Sequence, residues 1–524
     1  MSAPEPHARA AGAGAGPMSD APGAPGASDA AGPASVELSL ISHTNAGKTT
    51  LARTLLGRDV GEVRDAAHVT STADPYPMID TPAGDALRLW DTPGFGDSAR
   101  LAARLEQQGN PIGWFLTQVW DRWRDRPLWS SQQALRNVRE QADVILYLAN
   151  ASEDPADAGY LEPELRILAW TGKPVVVLLN QLGRPLPPEG EAAEQARWRA
   201  AFAPHAFVRA VLPLDAFARC WVQEIVLLRE VARAVPADKR AAFGRLLSAW
   251  QARSEQRFEA SMRVSAEQVA RAGCDREAVD DASVRGALRD VGRAIGLPGA
   301  AGESPKERAM RALAARLDAA SRAATDRLIA LHELDGRAAE EVTARLAGSY
   351  AVSGKVNEGK AAMMGGLVSG ALTGLAADLG AGGLTFGAGM LAGGLLGALG
   401  AVGLARGFNL VRGEQQPAVA WSDELLAELV RAALLRYLAV AHYGRGRGQW
   451  TQGEHPPHWR QAVEAVVAER RDAFAAVWAQ RRTGGDAAAL AAVLSEPMTQ
   501  AGRALLERLY PGVLDAAPDA AAPA

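Results

Sequence analysis

This chain of 524 residues has little cysteine, no metal-ligand cluster among its histidines and no surplus of positive charge. With only two cysteines, Cys220 and Cys274, we expect no disulfide framework and a reducing compartment. The eight histidines show no metal-ligand spacing. The net charge of −4 gives no indication of a general nucleic-acid-binding surface, so no nucleic-acid partner is predicted.

Large apolar side chains are almost absent from residues 1–34, which are mostly alanine, glycine, proline and serine. This segment lacks the apolar core of a signal peptide. It cannot bury enough surface to order itself, so we predict a disordered tail, and the same holds for residues 511–524. The chain between these tails is long enough for two or three domains.

The stretch from Ser42 to Thr50 reads SHTNAGKTT, between a strand-like run at 36–41 and a helical pattern at 51–56. A strand, a tight loop ending in Gly-Lys-Thr and a helix are typical of the phosphate-binding loop of nucleotide triphosphatases. Lys48 would reach the β- and γ-phosphates, and the Thr49 hydroxyl would bind Mg²⁺. Ser42 stands where the usual pattern has its first glycine.

A second motif, Asp91-Thr92-Pro93-Gly94, closes the apolar run 86–90. In GTPases, an Asp-x-x-Gly at a strand end holds Mg²⁺ through water with its carboxylate and contacts the γ-phosphate with its glycine N–H. Between the two motifs, a threonine is needed to meet Mg²⁺ and the γ-phosphate. Thr70 and Thr72 are available, and we prefer Thr70.

The motif that would read the base is incomplete. The buried run 175–179 ends in Asn180-Gln181-Leu182-Gly183, where GTPases usually have Asn-Lys-x-Asp. The missing carboxylate at Gly183 would accept two hydrogen bonds from guanine, and its loss weakens discrimination between bases. Guanine selectivity therefore stays open, with a nonselective NTPase or ATPase as an alternative.

Residues 35–219 are predicted to form an α/β domain with a mostly parallel sheet, because strand-like and helical patterns alternate. The predicted strands are 36–41, 76–80, 86–90, 144–149, 175–179 and 207–212, with a hairpin turn at 82–85. An insertion at about 99–141 holds Trp114, Trp120, Trp123 and Trp129. It is interpreted as a helical flap on the sheet or as a partner surface.

The C-terminal half is predicted to be all-α, with helical regions at 220–352 and 413–510 around a glycine-rich apolar helical hairpin at 353–412. Ser304-Pro305 is a clear helix start. Fourteen glycines fall within residues 361–405, several of them every fourth residue, and lysines and arginines flank the segment. Such spacing lets helices approach closely, and flanking positive charge fits a hairpin entering a membrane from the cytoplasm. A hairpin buried within protein is the alternative.

The motifs Thr44–Thr49 and Asp91–Phe95 resemble the Era-like branch of bacterial P-loop GTPases, and the whole chain resembles those GTPases that carry a C-terminal domain of unknown function 3482. The resemblance implies that Asn45 helps to hold a potassium ion beside the phosphates. It also places Phe95 where related enzymes orient water with glutamine. Because Phe95 cannot orient water, the resemblance implies slow intrinsic hydrolysis or hydrolysis that needs help, and Asp97, two residues on, is the candidate substitute.

These observations predict a Mg²⁺-dependent GTPase on the cytoplasmic face of the inner membrane, acting as a switch or assembly device. GTP and GDP, membrane lipid at 361–405 and further copies of the chain are its predicted partners. A nucleotide-loaded scaffold with little hydrolysis is an alternative. Lys48, Thr70 and Gly94 are the predicted catalytic residues. The predicted nucleotide-binding residues are Thr44, Asn45, Ala46, Gly47, Lys48, Thr49, Thr50, Asp91, Gly94, Asn180 and Gln181. The predicted metal ligands are Thr49, Thr70 and Asp91 for Mg²⁺ and Asn45 for K⁺.

Overall fold

The computed structural model describes twelve stretches of the chain. They are residues 32–43, 46–56, 75–92, 94–106, 121–180, 188–214, 220–278, 305–334, 408–412, 417–442, 457–481 and 486–514.

A six-stranded sheet forms the N-terminal region, and its order is β2-β3-β1-β4-β5-β6. The pair β2 and β3 is antiparallel, and every other neighbouring pair is parallel. All six predicted strands are confirmed to within one or two residues, and the hairpin turn at 82–85 joins β2 to β3. The strands are β1 Ser35–Ser42, β2 Tyr76–Asp80, β3 Ala86–Asp91, β4 Val144–Asn150, β5 Val175–Asn180 and β6 Val208–Pro213.

Helices cover both faces of this sheet, which explains why its central strands are continuous apolar runs. The side chains of Val144 to Leu148 and of Val175 to Leu179 have no exposed surface. The connections between parallel strands are helical, as predicted. The helices up to β6 are α1 Lys48–Leu56, α2 Ser98–Glu106, α3 Asp121–Arg124, α4 Arg126–Gln141, α5 Leu161–Thr171 and α6 Pro188–Phe202.

The core on one face of the sheet includes helices from beyond the predicted domain boundary at 219/220. Helix α7 spans Trp221–Ala234 and contributes Leu228 and Val231 to the same cluster as the β1 side chains. Helix α8, Arg240–Cys274, adds Phe243 and Trp250 to that cluster. The boundary stays a prediction, but the sheet and these two helices share one core.

Helix α8 also reaches a second hydrophobic core. Its 35 residues correspond to a length of about 50 Å. Its later residues Phe258, Met262 and Val269 lie in a cluster formed with the C-terminal helices. One helix therefore belongs to both cores. The remaining helices are α9 Pro305–Leu331, α10 Asp423–Ala441, α11 Pro457–Glu469, α12 Arg471–Arg481 and α13 Ala487–Leu509.

The C-terminal region is predominantly helical, but it also contains three short strands that the sequence did not predict. They are β7 Arg276–Ala278, β8 Phe408–Arg412 and β9 Pro417–Trp421, in an antiparallel sheet of order β7-β9-β8. Strands of three to five residues give little periodic signal. Most of the predicted glycine-rich hairpin lies outside the described residues. Within the described parts, no helix combines the length and apolar character that crossing a membrane requires.

The close packing of α13 against α8 depends on the absence of a side chain at Gly502. A Cβ atom there would lie 2.7 Å from Met262 Sδ and 3.0 Å from the ring of Phe258. We expect Gly502→Ala to destabilise the protein by about 1–2 kcal/mol, because overpacking outweighs the gain of about 1 kcal/mol in helix propensity. Urea unfolding would measure this difference.

Gly244 on α8 provides the matched control for that substitution. It is exposed, and a Cβ atom there would meet nothing within 4 Å. Gly244→Ala should therefore stabilise the protein by up to about 1 kcal/mol. Equal stabilisation by both substitutions would contradict the proposed close contact at Gly502.

Candidate nucleotide-binding site

The predicted site lies at the carboxyl end of the parallel strands. In the strand register Leu40 pairs with Asp91, Ser42 with Leu148, and Asn150 with Asn180. The two motifs and the Asn180 position therefore meet at one edge of the sheet. Ligands bind at this edge in open α/β sheets.

Backbone hydrogen bonds are present on both sides of the connection from β1 to α1. The Ala46 N–H donates to the His43 carbonyl at 3.4 Å, and the Leu51 N–H donates to the Gly47 carbonyl at 3.0 Å. Gly47 has a φ of 86°, a conformation that favours glycine over residues with a side chain. Helix α1 begins at Lys48, so its N-terminal N–H groups lie at the loop, where they suit phosphate oxygens. Thr44 and Asn45 lie outside the described residues.

Lys48 and Asp91 come together as predicted from their motifs. The Lys48 ammonium lies 2.5 Å from Asp91 Oδ1, and the two side chains are only 11% and 10% exposed. The ammonium can neutralise phosphate charge and the carboxylate can hold a hard cation, so the pair supplies both kinds of group at one point.

Asp91 of this pair and Thr49, the residue after Lys48, supply oxygen atoms of the kind that Mg²⁺ accepts. Thr49 follows Lys48 in the first turn of α1, and Asp91 ends β3. Thr92 fixes the end of β3, because its hydroxyl donates to the Leu40 carbonyl at 2.6 Å and its N–H donates to the same oxygen at 3.3 Å. Hydroxyl and carboxylate oxygens are ligands that Mg²⁺ accepts, so the donor set fits this ion. Thr70, the predicted third ligand, lies outside the described residues.

Asn180 contacts the phosphate-binding loop directly. Its side-chain amide donates to the Ala46 carbonyl at 2.8 Å, and its side chain has no exposed surface. This bond holds the loop against the end of β5. Its predicted role in reading the base stays a prediction, and Gln181 lies outside the described residues. Thr50 lies in the first turn of α1, where its carbonyl accepts a hydrogen bond from the Thr54 hydroxyl.

Among the described residues between β3 and α2, Phe95 lies in the core. Gly94 is half-buried, and the Phe95 N–H donates to the Ser42 carbonyl at 3.3 Å. The Phe95 ring is 3% exposed and lies 6.3 Å from the Tyr147 ring. Asp97 Oδ1 accepts from the Arg100 N–H at 3.0 Å and so caps α2. Phe95 thus serves packing, and the described contact of Asp97 is a helix cap.

One buried group beside the loop was missed by sequence reasoning. Glu164 on α5 accepts hydrogen bonds from Tyr147 and His43, each at 2.6 Å. The bond to Glu164 raises the pKa of His43. Burial raises the pKa of Glu164. A signal was available, because Glu164 lies at helical spacing between Leu161 and Leu168 on the apolar face of α5.

Two protein families match the chain. The family described as 50S ribosome-binding GTPase matches residues 37–181. The family described as domain of unknown function, DUF3482, matches residues 200–510, which is more than half of the chain. The chain belongs to the DUF3482 family. This DUF3482 protein therefore consists of an N-terminal P-loop GTPase domain with a mostly parallel sheet, followed by a helical region.

Solved structures similar to this DUF3482 protein include two of Era. One is an Aquifex aeolicus Era variant bound to GDP and AlF4⁻, with 19% identity, a TM-score of 0.28, and coverage of 38% of this chain and 57% of that one. The other is Era with MgGDPNP and part of 16S ribosomal RNA, with 20% identity, a TM-score of 0.27 and the same two coverages. A probable GTP-binding protein, engB, has 14% identity, a TM-score of 0.22, and coverage of 34% of this chain and 88% of that one.

The DUF3482 protein thus matches little more than half the length of the two Era structures. No curated protein matches its sequence. The GTPase family match, together with the loop geometry, supports a GTP-binding protein.

Proposed function

We propose that this protein hydrolyses GTP to GDP and phosphate with Mg²⁺ and acts as a nucleotide-dependent switch. The contact between Lys48 and Asp91 carries the proposal, because it joins the phosphate-binding loop to the strand end that precedes Gly94. Catalysis of phosphoryl transfer rests mainly on positioning and on neutralising charge. When bound, Mg²⁺ would neutralise phosphate charge. Thr49 and Asp91 would hold it, Lys48 would bind phosphate oxygens, and Thr70 and Gly94 would respond to the γ-phosphate.

Steady-state phosphate release from the full chain tests this proposal. We expect GTP turnover that EDTA abolishes and that exceeds ATP turnover. Comparison of potassium with sodium tests whether an ion at Asn45 contributes. GTP turnover that persists without any divalent cation would contradict the proposed mechanism, as would faster turnover of ATP.

A nucleotide-loaded scaffold is the second candidate, and the burial of Phe95 favours it. With an apolar ring in the core at this position, the described part of the loop after β3 offers no glutamine-like amide to orient water. On this alternative the protein binds GTP stoichiometrically but releases phosphate at no more than the spontaneous rate. Measurable turnover that depends on Lys48 would exclude it.

The switch would act on the helical half through α8. Asp85, directly before β3, has no exposed side-chain surface. Its carboxylate accepts from Arg245 Nε and Nη2 on α8, each at 2.7 Å. These bonds hold the pKa of Asp85 at about 2. Because β3 runs from Ala86 to Asp91, one short strand connects the Lys48–Asp91 pair to this ion pair.

We expect Arg245→Met to reduce the nucleotide-dependent change in the C-terminal half while GTP affinity changes less than about threefold. The substitution removes the bidentate bond to Asp85, which fixes geometry, but touches no predicted nucleotide ligand. Hydrogen exchange of residues 258–272 would be compared between GDP and a non-hydrolysable GTP analogue.

Arg316→Met is the matched control for Arg245→Met. Arg316 forms the same kind of bidentate pair with Asp275, but within the helical half. It should leave the nucleotide-dependent difference in hydrogen exchange intact. If Arg245→Met also leaves that difference intact, α8 does not transmit the signal through Asp85.

Membrane association through residues 361–405 is the remaining part of the proposal. Its support is the sequence alone, namely an apolar glycine-rich segment with lysines and arginines on both sides. Flotation with vesicles of anionic lipid tests it, using the full chain and a variant that lacks residues 361–405. The full chain should float and the deletion variant should not. Equal flotation of the two would contradict the proposal.

A further inference from the structure

A buried carboxylate lies behind the phosphate-binding loop. The Glu164 side chain has no exposed surface, and Leu161, Leu165 and Leu168 on the same helix are also buried. Moving a carboxylate out of water into such surroundings is unfavourable unless specific partners compensate for the lost hydration. The partners of Glu164 therefore indicate what the carboxylate is for.

Within the described part of the chain, one oxygen of Glu164 contacts a strand residue and the other contacts a loop residue. The Tyr147 hydroxyl on β4 donates to Oε2 at 2.6 Å, and Tyr147 itself has no exposed surface. His43 Nδ1 lies 2.6 Å from Oε1. The carboxylate is thus fixed from the sheet on one side and reaches the loop on the other.

His43 connects this carboxylate to the backbone of the loop. Its ring stacks on Tyr160, with ring centres 4.1 Å apart and planes 18° apart. Its carbonyl oxygen accepts from the Ser42 hydroxyl at 2.7 Å and from the Ala46 N–H at 3.4 Å. The side chain that Glu164 holds therefore belongs to the residue whose carbonyl closes the turn before Gly47.

Ala46, at the other end of this turn, is held by a residue of the sheet. Asn180 donates to the Ala46 carbonyl at 2.8 Å. Residues from outside the loop thus fix both His43 and Ala46, the two described ends of a turn that follows Ser42, the residue standing where the usual pattern has glycine. Such fixing reduces the ordering cost of binding, which is how preorganisation raises affinity.

We propose that Glu164 is a positioning residue that acts through His43 to hold the described ends of the phosphate-binding loop, at His43 and Ala46, in place for nucleotide binding. This inference rests on the proposed GTP-binding function. A packing role alone would be met by leucine, which occupies the neighbouring buried positions on α5. The carboxylate gains over leucine only through its bonds to Tyr147 and His43.

Three variants of the full chain test the inference. Glu164→Leu removes both bonds, and Glu164→Gln keeps an oxygen acceptor for His43. Glu162→Gln is the control, because Glu162 lies in the same helical turn with a side chain that is 74% exposed. The dissociation constant for GTP would be measured by calorimetry, and the urea midpoint for unfolding would be measured in parallel.

We expect Glu164→Leu to weaken GTP binding about tenfold or more, which is typical for loss of a hydrogen bond to a charged group. Its urea midpoint should fall only modestly and leave the protein fully folded in the binding buffer, because the buried Tyr147 hydroxyl loses its acceptor while a buried carboxylate is also removed. Glu164→Gln should recover affinity to within about threefold of the unsubstituted protein, and Glu162→Gln should match that protein. A loss of GTP affinity that exceeds any loss of folding stability would show that Glu164 has a positioning role and not only a packing role.

The inference is overturned if Glu164→Leu binds GTP as tightly as the unsubstituted protein. It is also overturned if affinity falls only in proportion to the folded fraction. Should Glu164→Leu fail to fold, Tyr147→Phe decides: a loss of about threefold supports the inference and no loss overturns it. If the unsubstituted protein binds no GTP, the proposed function itself fails. Failure of the proposed function can thus be told apart from failure of the inference about Glu164.

Discussion

Replacing Lys48 by alanine is expected to lower GTP turnover by at least about 100-fold, since loss of one preorganised charge-stabilising group commonly costs this much. Lys48 is the cation at the start of α1, and its ammonium lies 2.5 Å from the Asp91 carboxylate. Without it, that carboxylate stands next to phosphate oxygens with less compensating charge. Phosphate release at saturating Mg²⁺ would measure the effect, and calorimetry would show the accompanying loss of GTP affinity.

Lys173→Ala is the control for removing a lysine. Lys173 lies two residues before β5, at the opposite end of the parallel strands from the site. It should leave turnover within about twofold of the unsubstituted protein, because the change is far from the reacting atoms. Turnover that survives in Lys48→Ala would show that the phosphate-binding loop is not the site of hydrolysis.

Acid is expected to destabilise the helical half through His442. Burial lowers the pKa of His442 to about 4. In the structure Nδ1 lies 2.8 Å from the Leu438 carbonyl and Nε2 lies 2.6 Å from the Tyr510 hydroxyl. These partners suit a neutral ring that donates from Nδ1 and accepts at Nε2. Burial also lowers the pKa of His332, to about 3, which acts in the same direction.

The direction of this pH dependence follows from comparing proton binding at His442 in the unfolded and folded states. The unfolded chain binds a proton at His442 near pH 6.5, whereas the folded protein resists it until about pH 4. The contribution to the free energy of unfolding is therefore complete above pH 6.5. This contribution is lost as the pH falls, at up to about 1.4 kcal/mol per pH unit. The cumulative loss reaches about 3 kcal/mol at pH 4.

Urea unfolding at several pH values between 7 and 5 would measure this slope. His442→Gln retains an amide donor and an oxygen acceptor but does not titrate, so its average slope between pH 7 and 5 should be smaller by about 1 kcal/mol per pH unit. Gly244→Ala should shift the free energy of unfolding equally at every pH. Identical slopes for His442→Gln and the unsubstituted protein would show that this histidine is not protonated on unfolding.

The six-stranded sheet could be predicted because each of its strands shows a recognisable pattern in its own short stretch of sequence. Strands β4 and β5 are unbroken apolar runs of the length that a buried parallel strand requires, and the turn at 82–85 indicates the antiparallel pair β2 and β3 of this sheet. The two ends that carry Lys48 and Asp91 were predictable for the same reason, since both motifs follow such strands. Parallel pairing then brings them to one edge without further information.

Features that depend on distant pairing were not predictable. Strand β7 at Arg276–Ala278 pairs with β9 at Pro417–Trp421, and neither strand is long enough to show alternation. Helix α8 has a uniform helical pattern, so nothing in the sequence reveals that Trp250 joins the sheet core and Phe258 the C-terminal core. Glu164 stands on an apolar face, but its partner His43 is 121 residues away.

Calorimetric titration of the full chain with GTP, GDP and ATP in the presence of Mg²⁺ tests the central claim most directly. The GTP-binding account predicts one GTP or GDP bound per chain, with ATP at least tenfold weaker, a difference of about 1.4 kcal/mol. Binding of ATP as tight as that of GTP would contradict guanine recognition. The absence of saturable binding by any of the three would contradict the account as a whole.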